Sequence, residues 1–142
     1  DLQKWNNTPI EKKTKKNKPV KVEFGVRICQ KDCKYYVGKV GTSGGHREVS
    51  PLSVPPCDDG DKMIGYAHSH PDKNASLSDN DRKIAEEGFG GNFNIDENIK
   101  IPPRIIMTAS VRDGEGNIRT HLYNPNKPAG KTNATFINGI RQ

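Results

Sequence analysis

Ile64-Gly65-Tyr66-Ala67-His68-Ser69-His70-Pro71, with the Ser78-Asp79-Asn80-Asp81 that comes soon after it, is the stretch on which the reading of this chain turns. His68 and His70 stand two residues apart, so on a β-strand both imidazoles project from one face and can reach a single ion. Pro71 has no backbone N–H to donate and stops the strand just past the second histidine. Asp72 to Leu77 reads as a short polar loop leading to Ser78, which has the signature of a helix N-cap. Asp81 then falls at the third helical position, where a carboxylate reaches back toward the cap. His68, His70 and Asp81 would give a metal three nitrogen and oxygen donors and leave a fourth position for water. That is the pattern of a catalytic Zn2+ site rather than a closed structural one.

The same residues carry a family resemblance. His68-x-His70-Pro71, then Ser78-x-x-Asp81 at a separation of seven residues, resembles the signature of the JAMM/MPN+ (JAB domain) zinc metallopeptidases. A bare HxH would carry little weight, whereas this spacing fixes four positions over fourteen residues. Two solvated histidines beside an ordinary capping box are the plain alternative, and it needs two unrelated coincidences at the right separation. The resemblance implies an α/β fold of the cytidine-deaminase-like JAB/MPN kind, a central mixed β-sheet with few helices. It also implies a glutamate on an upstream strand as general base, and a role for the motif serine in stabilising the oxyanion of a tetrahedral intermediate.

Glu23 is the candidate base. Val20 to Cys29 alternates apolar and other residues with a period of two, which predicts one strand and puts Glu23 off the row formed by Val20, Val22, Phe24, Val26 and Ile28. Val22-Glu23-Phe24-Gly25 also resembles the place where the family carries its catalytic glutamate, and Gly25 leaves room beside it. Glu48, on a less regular stretch near His46, is the competitor. Ser78 would combine capping with oxyanion stabilisation. Asp79 is the nearest alternative ligand to Asp81. His46 and His121 read as surface or packing histidines, and nothing after Asp81 supports a second, structural zinc.

The 142 residues suffice for one domain with a core, although only 31% are hydrophobic and 14 are Gly and 10 Pro, which favours short strands and turns over long helices. No apolar run approaches a membrane span. The net charge of +6 is concentrated in residues 1–21, where seven lysines face only Asp1 and Glu11, a balance of +5. Residues 1–19 therefore read as a basic linker or arm, with Trp5 and Ile10 as anchors, and 20–142 as the JAMM-like metallopeptidase domain. A solvated lysine tail is weak evidence for nucleic acid as a partner. Three cysteines leave at least one thiol free; a Cys29–Cys33 or Cys33–Cys57 bridge is compatible with an oxidising compartment, and the sequence leaves this open. Cys57 as a nucleophile is disfavoured by the prolines before it and the aspartates after it.

Further along, Lys34 to Val40 predicts a strand antiparallel to the first, His46 to Val49 a short strand, and Pro51 to Asp61 an irregular connection. Lys62 to His70 predicts the metal strand. Ser78 to Glu87 predicts the one helix, with Ile84 and Ala85 inward and Gly88 as its stop. Phe89 to Pro103 is long and Gly/Asn-rich, and is expected beside the metal as an access-controlling segment. Arg104–Val111 and Asn117–Tyr123 predict a hairpin, and the C-terminal stretch predicts turns anchored by Phe136 and Ile137.

The leading functional expectation is a zinc-dependent hydrolase of peptide or isopeptide bonds with a protein or peptide substrate. A non-catalytic MPN-like binding module and a metal-dependent nuclease toxin are the alternatives. A lysine-rich linker followed by a small hydrolase resembles the layout of a bacterial polymorphic toxin domain, which would imply delivery into a target cell and a cognate immunity protein.

Overall fold

The computed structural model describes residues 11–13, 19–21, 23–42, 50–70 and 76–142. Its strands are β1 (Glu11–Lys13), β2 (Pro19–Lys21), β3 (Phe24–Lys31), β4 (Lys34–Val37), β5 (Gly41–Thr42) and β6 (Lys62–Ser69). Helix α1 (Asp79–Glu87) follows, and then β7 (Ile106–Arg112), β8 (Ile118–Tyr123), β9 (Asn133–Ile137) and β10 (Ile140–Arg141). The main sheet runs β10-β9-β8-β7-β6-β3-β4, with β5 also paired to β3, while β1 and β2 form a separate antiparallel pair. Only β6 and β7 are parallel among these neighbours. A parallel pair needs a crossover rather than a tight turn, and α1 lies within that crossover. The architecture is thus mixed α/β with a single α-helix among the described residues, where no helix is long and apolar enough to cross a membrane.

The β3–β6 register sets the two faces of the sheet. Gly25 pairs with His68, Arg27 with Tyr66 and, past an irregularity at Ile28/Cys29, Cys29 with Met63. This face carries the main core cluster: Tyr66, Met63, Met107, Ala109 and Tyr123 of the sheet pack with Leu77, Ile84 and Ala85 from the start and underside of α1. The opposite face carries Phe24, Val26 and Ala67, which are buried as well. The alternation in β3 is therefore not a split between core and solvent, for its less apolar side, Gly25-x-Arg27-x-Cys29, faces the helix.

Helix α1 begins and ends as local chemistry dictates. Ser78 Oγ accepts from Asp81 N–H at 3.0 Å while Asp81 Oδ2 accepts from Ser78 N–H at 3.0 Å, a reciprocal capping box. Gly88 closes the helix at φ +78°, a conformation that favours glycine, and its N–H donates to Ile84 O.

Several expectations change. The strand expected over Val20–Cys29 is two strands, because β2 pairs with β1 and not with the main sheet; the 19/20 boundary of the basic arm thus falls inside β2. β4 stops at Val37 rather than Val40. The C-terminal stretch forms β9, paired between β8 and β10, and the two-residue exposed edge strand β10. Neither cysteine pairing considered from the sequence occurs: Cys29 bonds to Cys57, and Cys33 is free and exposed. Cys57 accordingly has no thiol to offer. His46, Glu48, Trp5, Ile10 and Pro71 lie outside the described residues.

The 89–103 segment is placed differently from its expected position. Phe89 and Ile101 form an isolated antiparallel bridge, and the carbonyls of Asn98, Ile99 and Lys100 accept from the buried Arg27 guanidinium. This part of the segment lies at the Met63 end of β6, five residues before His68, and with Arg27, Cys57 and Met63 it lines a cavity of about 410 Å³. Phe93 and Ile95 remain on the surface, 48% and 37% exposed.

Candidate metal centre

At the other end of β6 the ladder continues past the strand, since His70 N–H donates to Ser110 O at 2.8 Å. His70 thus stays extended, and its ring falls on the same side as that of His68. Their Nε2 atoms stand 3.1 Å apart. Two imidazole lone pairs cannot point at one another at that distance without a proton or a cation between them.

Asp81 completes the group. Its Oδ2, the oxygen that caps Ser78 N–H, lies 3.4 Å from His68 Nε2. The oxygen that could serve as a ligand is therefore also the cap acceptor. Burial alone would raise the Asp81 pKa, but hydrogen bonding and charge from His68, then the Ser78 N–H and hydroxyl, hold it below the ordinary carboxylate value. The donor atoms of His68, His70 and Asp81 all lie within 4.8 Å of one another. Asp79 is exposed and outside this group.

The group fits zinc. Two imidazole nitrogens and a carboxylate oxygen are a donor set zinc accepts, and donors at a tetrahedral zinc stand about 3.3 Å apart. The 3.1 and 3.4 Å separations bracket that value. One feature is unusual for a metal histidine: His68 Nδ1 is buried with no hydrogen-bond partner among the described residues, where an orienting acceptor is the common arrangement.

Glu23 immediately precedes β3. Phe24 N–H donates to Ser69 Oγ at 3.0 Å, and continuing the Gly25–His68 register by two residues sets Glu23 level with His70 on the same face. Electrostatics agree with this placement. The Tyr66 phenol is pushed far above its ordinary pKa by burial first, then by the charges of Glu23 and Asp81, against an opposing pull from Arg27. The neutral hydroxyl of Tyr66 lies over Gly25: a Cβ at that position would stand 2.5 Å from Tyr66 Oη. Gly25 thus makes room for a neighbouring ring rather than for Glu23 itself. Tyr66 Oη is buried with no partner among the described residues, and the sequence held no signal for it.

Ser78 Oγ serves as an acceptor in the cap, so its hydroxyl hydrogen can still be donated outward. His121 is half-buried on β8, level with Ala109 and His68 across the sheet. It lies outside the donor group.

The chain matches no protein-family model, no curated protein and no solved structure.

Proposed function

We propose that this protein is a zinc-dependent hydrolase of peptide or isopeptide bonds, of JAMM type. The observation that carries this reading is that donor atoms of His68, His70 and Asp81 all lie within 4.8 Å of one another. The β6–α1–β7 crossover, which delivers two strand histidines and a helix-cap aspartate to one place, supports the finer assignment to a JAB/MPN-like sheet domain. When bound, zinc supplies Lewis acidity and brings the pKa of a coordinated water toward neutrality.

The chain's own groups have separate duties. Glu23, level with His70, takes a proton and returns it to the leaving amine. Ser78 turns its hydroxyl toward developing negative charge, on a helix N-terminus that favours such charge. Asp81 is kept ionised by its neighbours and so stays a competent ligand. The Cys29–Cys57 bridge fits folding outside a reducing cytosol, in keeping with a secreted or delivered effector. A nuclease reading rests only on the lysine-rich arm.

The test is metal analysis of the purified protein followed by hydrolysis assays on isopeptide-linked ubiquitin-like substrates and on peptidoglycan peptides. We expect about one zinc per chain. Glu23→Gln should keep that zinc and lose turnover by roughly 10²–10⁴-fold, the usual contribution of a general base. A Glu23→Gln variant with undiminished turnover would remove Glu23 from the mechanism, and a protein that retains no zinc would remove the hydrolase reading altogether.

A further inference from the structure

The surroundings of the three donor atoms differ on their two sides. Toward β3 comes Glu23, whose charge acts on Tyr66. Toward β8 come the His121 imidazole and the Arg119 guanidinium, the latter paired with Asp113. Register places His121 level with Ala109 and His68, and Arg119 level with Val111, one step further along the same face. Arg82 follows Asp81 on α1, but its guanidinium reaches the other way. It sits 5.0 Å over the Tyr123 ring and donates from Nη1 to Asn133 Oδ1 at 2.8 Å.

Both of these partners are neutral. Glu86 accepts from Tyr123 Oη, and Asp113 pairs with Arg119 at 2.9 Å. Among the described residues no carboxylate pairs with Arg82. A planar cation fixed by a ring and an amide, with most of its five N–H donors unused, is arranged for bidentate recognition of a carboxylate. His121 belongs to the same field: it is held below its ordinary pKa by burial, then by Arg82, His70 and Arg119.

We infer that Arg82, with His121 beside it, forms a subsite for an acidic residue of a peptide substrate, on the β8 side of the bond to be cleaved. This rests on the hydrolase reading for the word substrate, but not for the binding. The patch offers one arginine with no carboxylate within ion-pair distance among the described residues and one imidazole, enough for a single carboxylate and too little to track a phosphate backbone.

The test uses the full chain, with zinc and without it, and two probes that differ in one group: acetyl-Gly-Gly-Glu-Gly-Gly-amide and its glutamine counterpart. Binding is followed by amide NMR shifts. The glutamate peptide should bind about tenfold more tightly, the effect of one charge-assisted hydrogen bond in a partly exposed site, and should move resonances of α1 and β8. Arg82→Gln should erase that preference with zinc content unchanged. Equal affinities of the two peptides for the unmodified chain would overturn the subsite without recourse to any variant. So would tighter binding of a short oligothymidylate at the same resonances, which would assign the patch to nucleic acid. If the chain takes up no zinc when zinc is supplied and cleaves neither substrate class, the hydrolase reading falls, while a surviving preference for the glutamate peptide upholds the subsite.

Discussion

The β3–β6 pair buries polar side chains at both of its ends and treats them in opposite ways. Toward Met63, the Arg27 guanidinium is 1% exposed and is surrounded by acceptors: the carbonyls of Pro51, Val54, Asn98, Ile99 and Lys100, and the sulfur of Met63. Toward His68, two imidazole nitrogens face each other, while His68 Nδ1 and Tyr66 Oη are buried with no partner among the described residues. An unsatisfied buried polar atom costs roughly 1–3 kcal/mol, so such atoms need a reason for being there. At the Arg27 end polarity is spent on holding segments 51–54 and 98–100 together. At the histidine end it is left poised for something that binds. The contrast teaches that a buried polar group by itself does not mark a site; the state of its partners does.

Three variants can break or refine that contrast. His68→Ala combined with His70→Ala should abolish zinc binding outright, read by metal analysis. The zinc-free chain should stay folded, since the variant gives up the His68–Asp81 contact but keeps the reciprocal Ser78–Asp81 cap. A cooperative collapse of the zinc-free double variant would mean that the histidines are structural. Arg27→Met should do the reverse. It leaves several buried carbonyls unpaired and should lower unfolding free energy by about 3 kcal/mol in urea titration, with zinc stoichiometry intact. Retention of full stability would show that those carbonyls find other donors. The smallest effect is expected from Tyr66→Phe, which removes an unpartnered hydroxyl and should raise stability by about 1 kcal/mol in the zinc-free chain. A fall of similar size would reveal a partner for Tyr66 Oη and weaken the idea that this end is left unsatisfied.

The histidine end was far more legible in the sequence than the arginine end, and the reason is range. A strand with residues at i and i+2, and a cap with residues at i and i+3, are decided by neighbours, so β6, α1 and the convergence of His68, His70 and Asp81 could be read directly. Arg27 was invisible as a core residue because its acceptors lie 24 to 73 residues away and are backbone atoms, which carry no sequence signature. Glu23 was assigned from alternation, and it falls just before β3 rather than within it. It lies off the apolar row, as alternation predicted, but that side of β3 is where the helix packs and not where solvent lies. The cysteine pairing failed on the same ground, for Cys29 and Cys57 meet only because the 51–61 connection folds across β3. β10 was missed because edge pairing asks little of side chains, and β9 because its apolar residues are only half-buried.

The Cys29–Cys57 bond has a further consequence for how the protein meets proteases. It closes a loop with a sequence separation of 28, within which lie β4, β5 and the Pro51–Ser53 turn. A single cut anywhere in that interval leaves the piece bearing Glu23 covalently attached to the piece bearing His68, His70 and Asp81. On a non-reducing gel the nicked protein would migrate as one species. It would separate into two only after a thiol is added, so a nick in this interval divides the chain without freeing either part.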